Sequence, residues 1–198
     1  NTGISRMLED GPFTQVRLPK NYRSHWLLRE LYSRLAYEGK IRSHEFLPIE
    51  KDTFQLMDTS QMTDVASRRE VRKSAGFTNP YEAELAAKEA LRILAENNGR
   101  GSLMDIFIVT PYQKQAGLLR EVLEKALNKA LVPGWQIRQF VQTNISTIDS
   151  FQGSQAKYLI VVLVRSNAPS SRVGFLNELR RMTVTLSRVQ ERLFIIGD

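Results

Sequence analysis

The chain has 198 residues, of which 42% are hydrophobic and 25% charged, enough apolar material for one sizeable core and hence one domain, with room for an excursion. No apolar run approaches the ~20 residues of a membrane span, no signal-peptide pattern opens the chain, and the lack of cysteine excludes disulfides and thiolate metal sites. These features predict an intracellular protein, in the nucleus or the cytoplasm. His25 and His44 are too few for a histidine metal centre, and the net charge of +7 favours a polyanionic partner such as nucleic acid.

Residues 1–11 read as a polar lead-in ending in an Asp-Gly-Pro turn, and alternation over 13–18 predicts a strand. Ser24 is placed to cap a helix over 25–37, with Leu27, Leu28, Leu31 and Leu35 as its apolar stripe and Gly39 at its end. A short strand is expected at 54–57. Residues 59–76 are polar and carry Arg68, Arg69, Arg72 and Lys73, which reads as a mobile surface excursion. Its basic cluster suits either solvent or a phosphate backbone.

Asn79-Pro-Tyr-Glu82 is a helix start with an N-cap, a first-turn proline and a glutamate three residues after the cap. Ala83, Ala87, Ala90 and Leu94 share its apolar face, and Asn98-Gly99 ends it. A buried strand follows at 106–109. Thr110-Pro-Tyr-Gln113 has the same capping pattern, before a helix with Leu119, Val122, Leu123, Ala126 and Leu127. Pro133-Gly134 breaks the chain. The run from Tyr158 to Val164 is a strand buried on both faces, reached through the polar turn from Asp149 to Gln155. A loop at 168–172, a helix over 180–188 and a last strand at 193–196 complete the pattern. Strands alternating with helices make an α/β domain with a mainly parallel sheet.

The sequence contains no phosphate-cradling Gly-x-x-x-x-Gly-Lys-Ser/Thr loop and no nucleophile elbow. Polar residues instead gather at predicted strand ends: Tyr22 and Arg23, 110–115, 149–155 and 180–188. Arginines in such places suit anionic transition states, because a planar guanidinium donates several hydrogen bonds to phosphate oxygens. The pattern reads as half of a nucleotide site whose phosphate loop lies elsewhere.

Asn21-Tyr-Arg-Ser-His25, Thr110-Pro-Tyr-x-x-Gln115, Ile148-Asp-Ser-Phe-Gln-Gly153 and Arg180-Arg-x-x-Val-x-x-Ser-Arg188 occur in order, with Ile-Gly-Asp198 at the end. Together they resemble the second RecA-like domain of superfamily 1 helicases of the up-frameshift type, and the Asn-Tyr-Arg-Ser-His form resembles the armitage-like RNA helicases. The resemblance runs from about Leu18 to the end. It implies a RecA-like three-layer sandwich, ATP and Mg²⁺ held mainly by a first RecA-like domain of the same parent chain, and single-stranded nucleic acid, RNA before DNA, as partner.

By this resemblance Tyr22 packs near the nucleotide base, and Arg23 and Arg188 reach the γ-phosphate, Arg188 as an arginine finger. Gln152 and Gly153 couple nucleotide state to the bound strand, although Gly153 also suits a positive φ. Thr110, Pro111, Tyr112, Thr147 and Ser150 contact the nucleic-acid backbone, although Thr110 also suits a helix cap. Gln155 stands where the family usually has glutamate. It keeps a carbonyl acceptor for a ribose hydroxyl and loses the charge; Lys157, two residues on, replaces another usual acid. The resemblance further implies 5′-to-3′ translocation and an isolated domain unable to hydrolyse ATP. A degenerate RecA-like binding module and an unrelated α/β nucleotide-binding enzyme are the competing readings.

Overall fold

A computed structural model describes residues 20–21, 23–43, 53–61, 70–73, 76–96, 102–165 and 179–198. The first half runs β1 (Lys20–Asn21), α1 (Trp26–Ala36), β2 (Arg42–Ser43), β3 (Phe54–Asp58), β4 (Val71–Lys73), β5 (Gly76–Thr78) and α2 (Pro80–Glu96). The second runs β6 (Ile106–Thr110), α3 (Gln113–Lys129), α4 (Gly134–Thr143), β7 (Ile145–Thr147), β8 (Ala156–Val162), α5 (Leu179–Leu186) and β9 (Val189–Gly197). The expected strand at 13–18, the Asn98-Gly99 helix stop, the 168–172 loop, Arg68, Arg69 and Tyr22 lie outside the described residues.

Five strands form one sheet in the order β3-β9-β8-β6-β7, with every neighbouring pair parallel. Period-two alternation sends strand side chains to opposite faces. Ile106, Ile108, Tyr158, Ile160, Val162, Phe194 and Ile196 meet Ala83, Ala87 and Ala90 of α2, Leu119 and Leu123 of α3 and Phe140 of α4. Val109, Leu159, Val161 and Leu193 face Leu28 and Tyr32 of α1 and Leu186 of α5 on the other side. Both faces are therefore covered, which is what a continuous Val/Ile/Leu strand such as β8 requires.

Several local expectations shift in register. Helix α1 is capped by His25, whose Nδ1 accepts the Leu27 N–H at 3.3 Å, and Ser24 is not its cap. Its buried face is Leu28, Arg29, Tyr32 and Ser33, whereas Leu35 is 42% exposed. The Tyr32 ring and the Arg29 stem supply apolar area that a leucine stripe overlooks, and the Arg29 head donates to the Ser24 carbonyl at 2.8 Å. Strand β6 continues through Thr110, in register with Thr147, so α3 starts only at Gln113. Its N-cap position is Tyr112, without a side-chain bond, and Thr110 caps nothing.

Strand β8 starts at Ala156 and ends at Val162, two residues before the end of the apolar run. Val164 lies beyond the sheet in left-handed backbone at φ 76. Helix α4 was not anticipated: only Ile137 and Phe140 are buried on it, too few to establish a period. The segment expected as a loose excursion contains a 3₁₀ turn (Thr59–Gln61) and an antiparallel ribbon in which Val71 pairs with Thr78 and Arg72 with Phe77. The capping at Asn79 holds as expected, with the Glu82 N–H donating to Asn79 Oδ1 at 3.1 Å.

At the end of β9, a Cβ on Gly197 would stand 2.7 Å from Leu163 Cβ, closer than real carbon contacts allow. Gly197→Ala is expected to cost about 1–3 kcal/mol, because two backbones must move apart in a packed sheet. Urea unfolding checks this through a lower midpoint at unchanged slope. Among the described residues no helix is long and apolar enough to cross a membrane.

Candidate nucleotide and nucleic-acid edges

A parallel sheet has two distinct ends, and the predicted site residues divide between them. At the N-terminal ends of β8 and β9, Arg23 is exposed just before α1, and its Nη1 donates to the Ser187 carbonyl at 3.5 Å. The next residue, Arg188, is fixed by its backbone: its N–H donates to Thr185 at 3.1 Å, and its carbonyl accepts the Ala156 N–H at 3.1 Å. The His25 N–H donates to Gln190 at 2.8 Å and so ties the start of α1 to β9. The two predicted phosphate-binding arginines therefore belong to one edge.

Arg188 is half-buried, and its Nε is buried with no hydrogen-bond partner among the described residues. Gln155 lies on the same edge, its Oε1 accepting from Gln190 Nε2 at 3.1 Å. A neutral amide engages this partner without adding negative charge beside the arginines.

The opposite edge collects Thr110 at the end of β6, Pro111 and Tyr112 just beyond it, Thr147 at the end of β7 and Ser150 in the turn that follows. Thr110 is fully buried, and its Oγ1 has no hydrogen-bond partner among the described residues. Thr147 Oγ1 lies 2.9 Å from Ser150 Oγ and accepts the Ser150 N–H at 3.3 Å, which closes the turn after β7. Helix α3 begins here with no acidic residue in its first turn. Its uncapped N–H groups add partial positive charge to the edge.

Residues 148–155 join the two edges. The registers Thr110↔Thr147 and Ile106↔Tyr158 put the end of β7 at one end of the sheet and the start of β8 at the other. The connection must therefore cross a face of the sheet. Ile148 and Phe151 pin it into the α1/α5 side of the core, with Phe151 packed at 5.4 Å against the Phe107 ring. Gln152 and Gly153 stay exposed at its far end, and Gly153 has φ 98. The glycine thus supplies the positive φ that its position in the motif suggested.

Two supporting residues gave no separate functional signal in the sequence. Gln115, the last letter of Thr-Pro-Tyr-x-x-Gln, is fully buried and clamps the Asn79 backbone in both directions. Its Oε1 accepts the Asn79 N–H at 2.7 Å, and its Nε2 donates to the Asn79 carbonyl at 3.0 Å. Glu82, read only as a helix-start residue, accepts the Val164 N–H at 2.7 Å and an Asn79 Nδ2 hydrogen at 3.0 Å. Burial pushes its carboxyl up to about 8, aided by the charges of Asp198 and Glu70 and opposed by the Val164 N–H. Among the described residues, no group of three or more His, Cys, Asp or Glu side chains is placed to hold a metal ion.

Five parallel strands between two helical layers, with arginines on one edge and strand-end hydroxyls on the other, define a RecA-like domain. A family model described as AAA domain matches residues 1–198. Probable helicase senataxin of Mus musculus is 31% identical over 134 residues, covering 68% of this chain and 5% of that protein. Regulator of nonsense transcripts 1 of Dictyostelium discoideum is 30% identical over 191 residues, covering 92% of this chain and 13% of that protein. RNA helicase Mov10l1 of Homo sapiens is 26% identical over 204 residues, 94% of this chain and 15% of that protein. The chain belongs to this AAA domain family, the C-terminal RecA-like half of superfamily 1 helicases of the up-frameshift type. It spans 5% to 15% of the length of these relatives.

Proposed function

We propose that this chain is the second RecA-like domain of an ATP-dependent translocase that moves 5′ to 3′ on single-stranded nucleic acid, RNA before DNA. The observation that carries the reading is the meeting of Arg23 and the Ser187-Arg188 pair at one sheet edge, with Arg188 Nε buried and unbonded among the described residues. ATP binds between this edge and a first RecA-like domain elsewhere in the parent chain, which supplies the phosphate loop and the acid that holds Mg²⁺. That ion contributes charge neutralisation at the phosphates. Arg23 and Arg188 place guanidinium groups where γ-phosphate charge develops, and Tyr22 packs against the base. Gln152 and Gly153 sense the nucleotide, and the 148–155 crossover carries their movement to Thr147 and Ser150. There, with Thr110, Pro111 and Tyr112, hydroxyls and backbone N–H groups grip a sugar-phosphate chain without reading its sequence. The name of the relative RNA helicase Mov10l1 supports RNA as the polymer. The setting would be intracellular, nuclear or cytoplasmic.

ATP hydrolysis by the parent chain, with and without single-stranded RNA or DNA, tests this reading. Stimulation by RNA, together with inactivity of the isolated 198-residue domain, is expected; helicase-like turnover by the isolated domain would overturn the shared site. A second reading, a degenerate binding module, draws on the neutral Gln155–Gln190 pair. Gln155→Glu in the parent chain separates the two. The motor reading expects turnover to change by less than about tenfold, roughly 1.4 kcal/mol in barrier. A much larger gain would favour degeneration.

A further inference from the structure

The basic segment singled out in the sequence does not hang free at its C-terminal end. Strands β4 and β5 form a ribbon, and Arg72 stands directly opposite Phe77. Side chains of a directly paired position share one face of a ribbon. Phe77 packs edge-on against Tyr112 at 5.5 Å between ring centres, and the Arg165 guanidinium lies 4.2 Å above the same ring. One residue along, Gly76 abuts the stem of Lys114, where a Cβ would stand 3.4 Å from Lys114 Cγ. The Gln115 clamp on Asn79 fixes the base of the ribbon to α3. The ribbon is thus built onto Tyr112, a residue assigned above to the nucleic-acid edge.

The charge on this platform is available. Arg72 and Lys114 are exposed, and neither forms an ion pair among the described residues. Glu70, at the start of the ribbon, is already paired with Arg165 at 3.3 Å. Two exposed cations therefore flank an aromatic pair beside the edge, with the nearby carboxylate neutralised.

We propose that Arg72 and Lys114 form a second phosphate-contact point, extending the single-strand track from Tyr112 onto the β4–β5 ribbon. The proposal rests on the translocase reading and adds a binding surface to it. The contacts are to backbone phosphate, since exposed cations on flexible stems neutralise charge and carry no base code.

The test is fluorescence anisotropy of the parent protein with a labelled single-stranded RNA across a salt series, beside an Arg72→Gln/Lys114→Gln double variant. Each lost phosphate contact on a single strand lowers the log–log salt slope by about 0.7, so the double variant should lose about 1.4. Its affinity at physiological salt should fall about tenfold, at unchanged thermal melting. An Arg72→Lys/Lys114→Arg variant should keep the parent slope, which a merely structural role for these two side chains does not predict. If the parent binds and the double variant has the same slope, the ribbon contact is wrong and the translocase reading stands. If the parent does not bind single strands at all, both fall.

Discussion

Replacing Arg188 with alanine in the parent chain is expected to reduce nucleic-acid-stimulated ATP hydrolysis by about three to five orders of magnitude, the range of arginine fingers in related hydrolases. The cause is local. Arg188 has a buried guanidinium nitrogen with no hydrogen-bond partner among the described residues, and its backbone is held by Thr185 and Ala156. The phosphate charge that develops during hydrolysis would lose a pre-positioned donor. Arg23, anchored to the Ser187 carbonyl, sits beside it but is held by a different turn. Arg188→Lys should recover little, because an ammonium cannot reproduce a planar fork. Stability should hardly change, since the substitution removes an orphan donor and not a bond. Steady-state kinetics check the prediction: kcat should fall while single-strand affinity without nucleotide is kept. Turnover within about tenfold of the parent would remove Arg188 from the phosphate site.

The second large effect concerns Glu82 and stability. Glu82→Ala leaves the buried Val164 N–H without its acceptor and takes one of two acceptors from Asn79 Nδ2, which keeps the Val164 carbonyl at 3.3 Å. An unsatisfied buried donor costs about 1–3 kcal/mol; the weakened Asn79 contact adds to that and removal of a poorly solvated carboxyl offsets part of it, so a net loss of about 1–3 kcal/mol is expected. Chemical denaturation at fixed pH measures it. The same group gives stability a pH dependence. Both carboxyl oxygens accept N–H donors, which favours the ionised form, yet burial prevails and the folded carboxyl titrates at about 8 against an ordinary 4.5.

Below the ordinary value both folded and unfolded chains hold the proton, and this contribution to stability is fully present. Above it the unfolded chain releases the proton while the folded chain keeps it. Stability from this group therefore falls as pH rises from about 4.5 to about 8, with a limiting slope of about 1.4 kcal/mol per pH unit. Glu82→Gln cannot titrate, so its deficit relative to the parent should shrink across that window. Parallel stability curves for the two proteins would show that Glu82 is ionised in the fold.

The class of the domain could be read from its sequence because long-range order was written in short-range terms. Runs such as 106–109 and 158–162 are apolar throughout, which only a strand covered on both faces tolerates, and capped helices between strands leave a parallel sheet as the economical arrangement. The four ordered motifs carried the family, and the AAA domain match over residues 1–198 agrees with them. What local pattern misjudged was decided by partners distant in sequence. Thr110 has the chemistry of a helix cap, but Thr147 claims it for the sheet. Ser24 is a good cap in isolation, but the His25 N–H is tied to the Gln190 carbonyl of β9, the helix starts at Trp26, and His25 caps it. The ribbon at 71–78 has no apolar alternation strong enough to be predicted, and its place is set by Tyr112, Arg165 and Gln115.

The same division holds for the candidate site. Residue types and motif order nominated the candidate side chains, while the tertiary structure separated them into two edges joined by the 148–155 crossover. Sequence determined the chemistry at each strand end, because a guanidinium or hydroxyl acts through its own bonds. Only the fold decided which strand ends share an edge, because parallel pairing and register are properties of contacts between segments far apart in the chain.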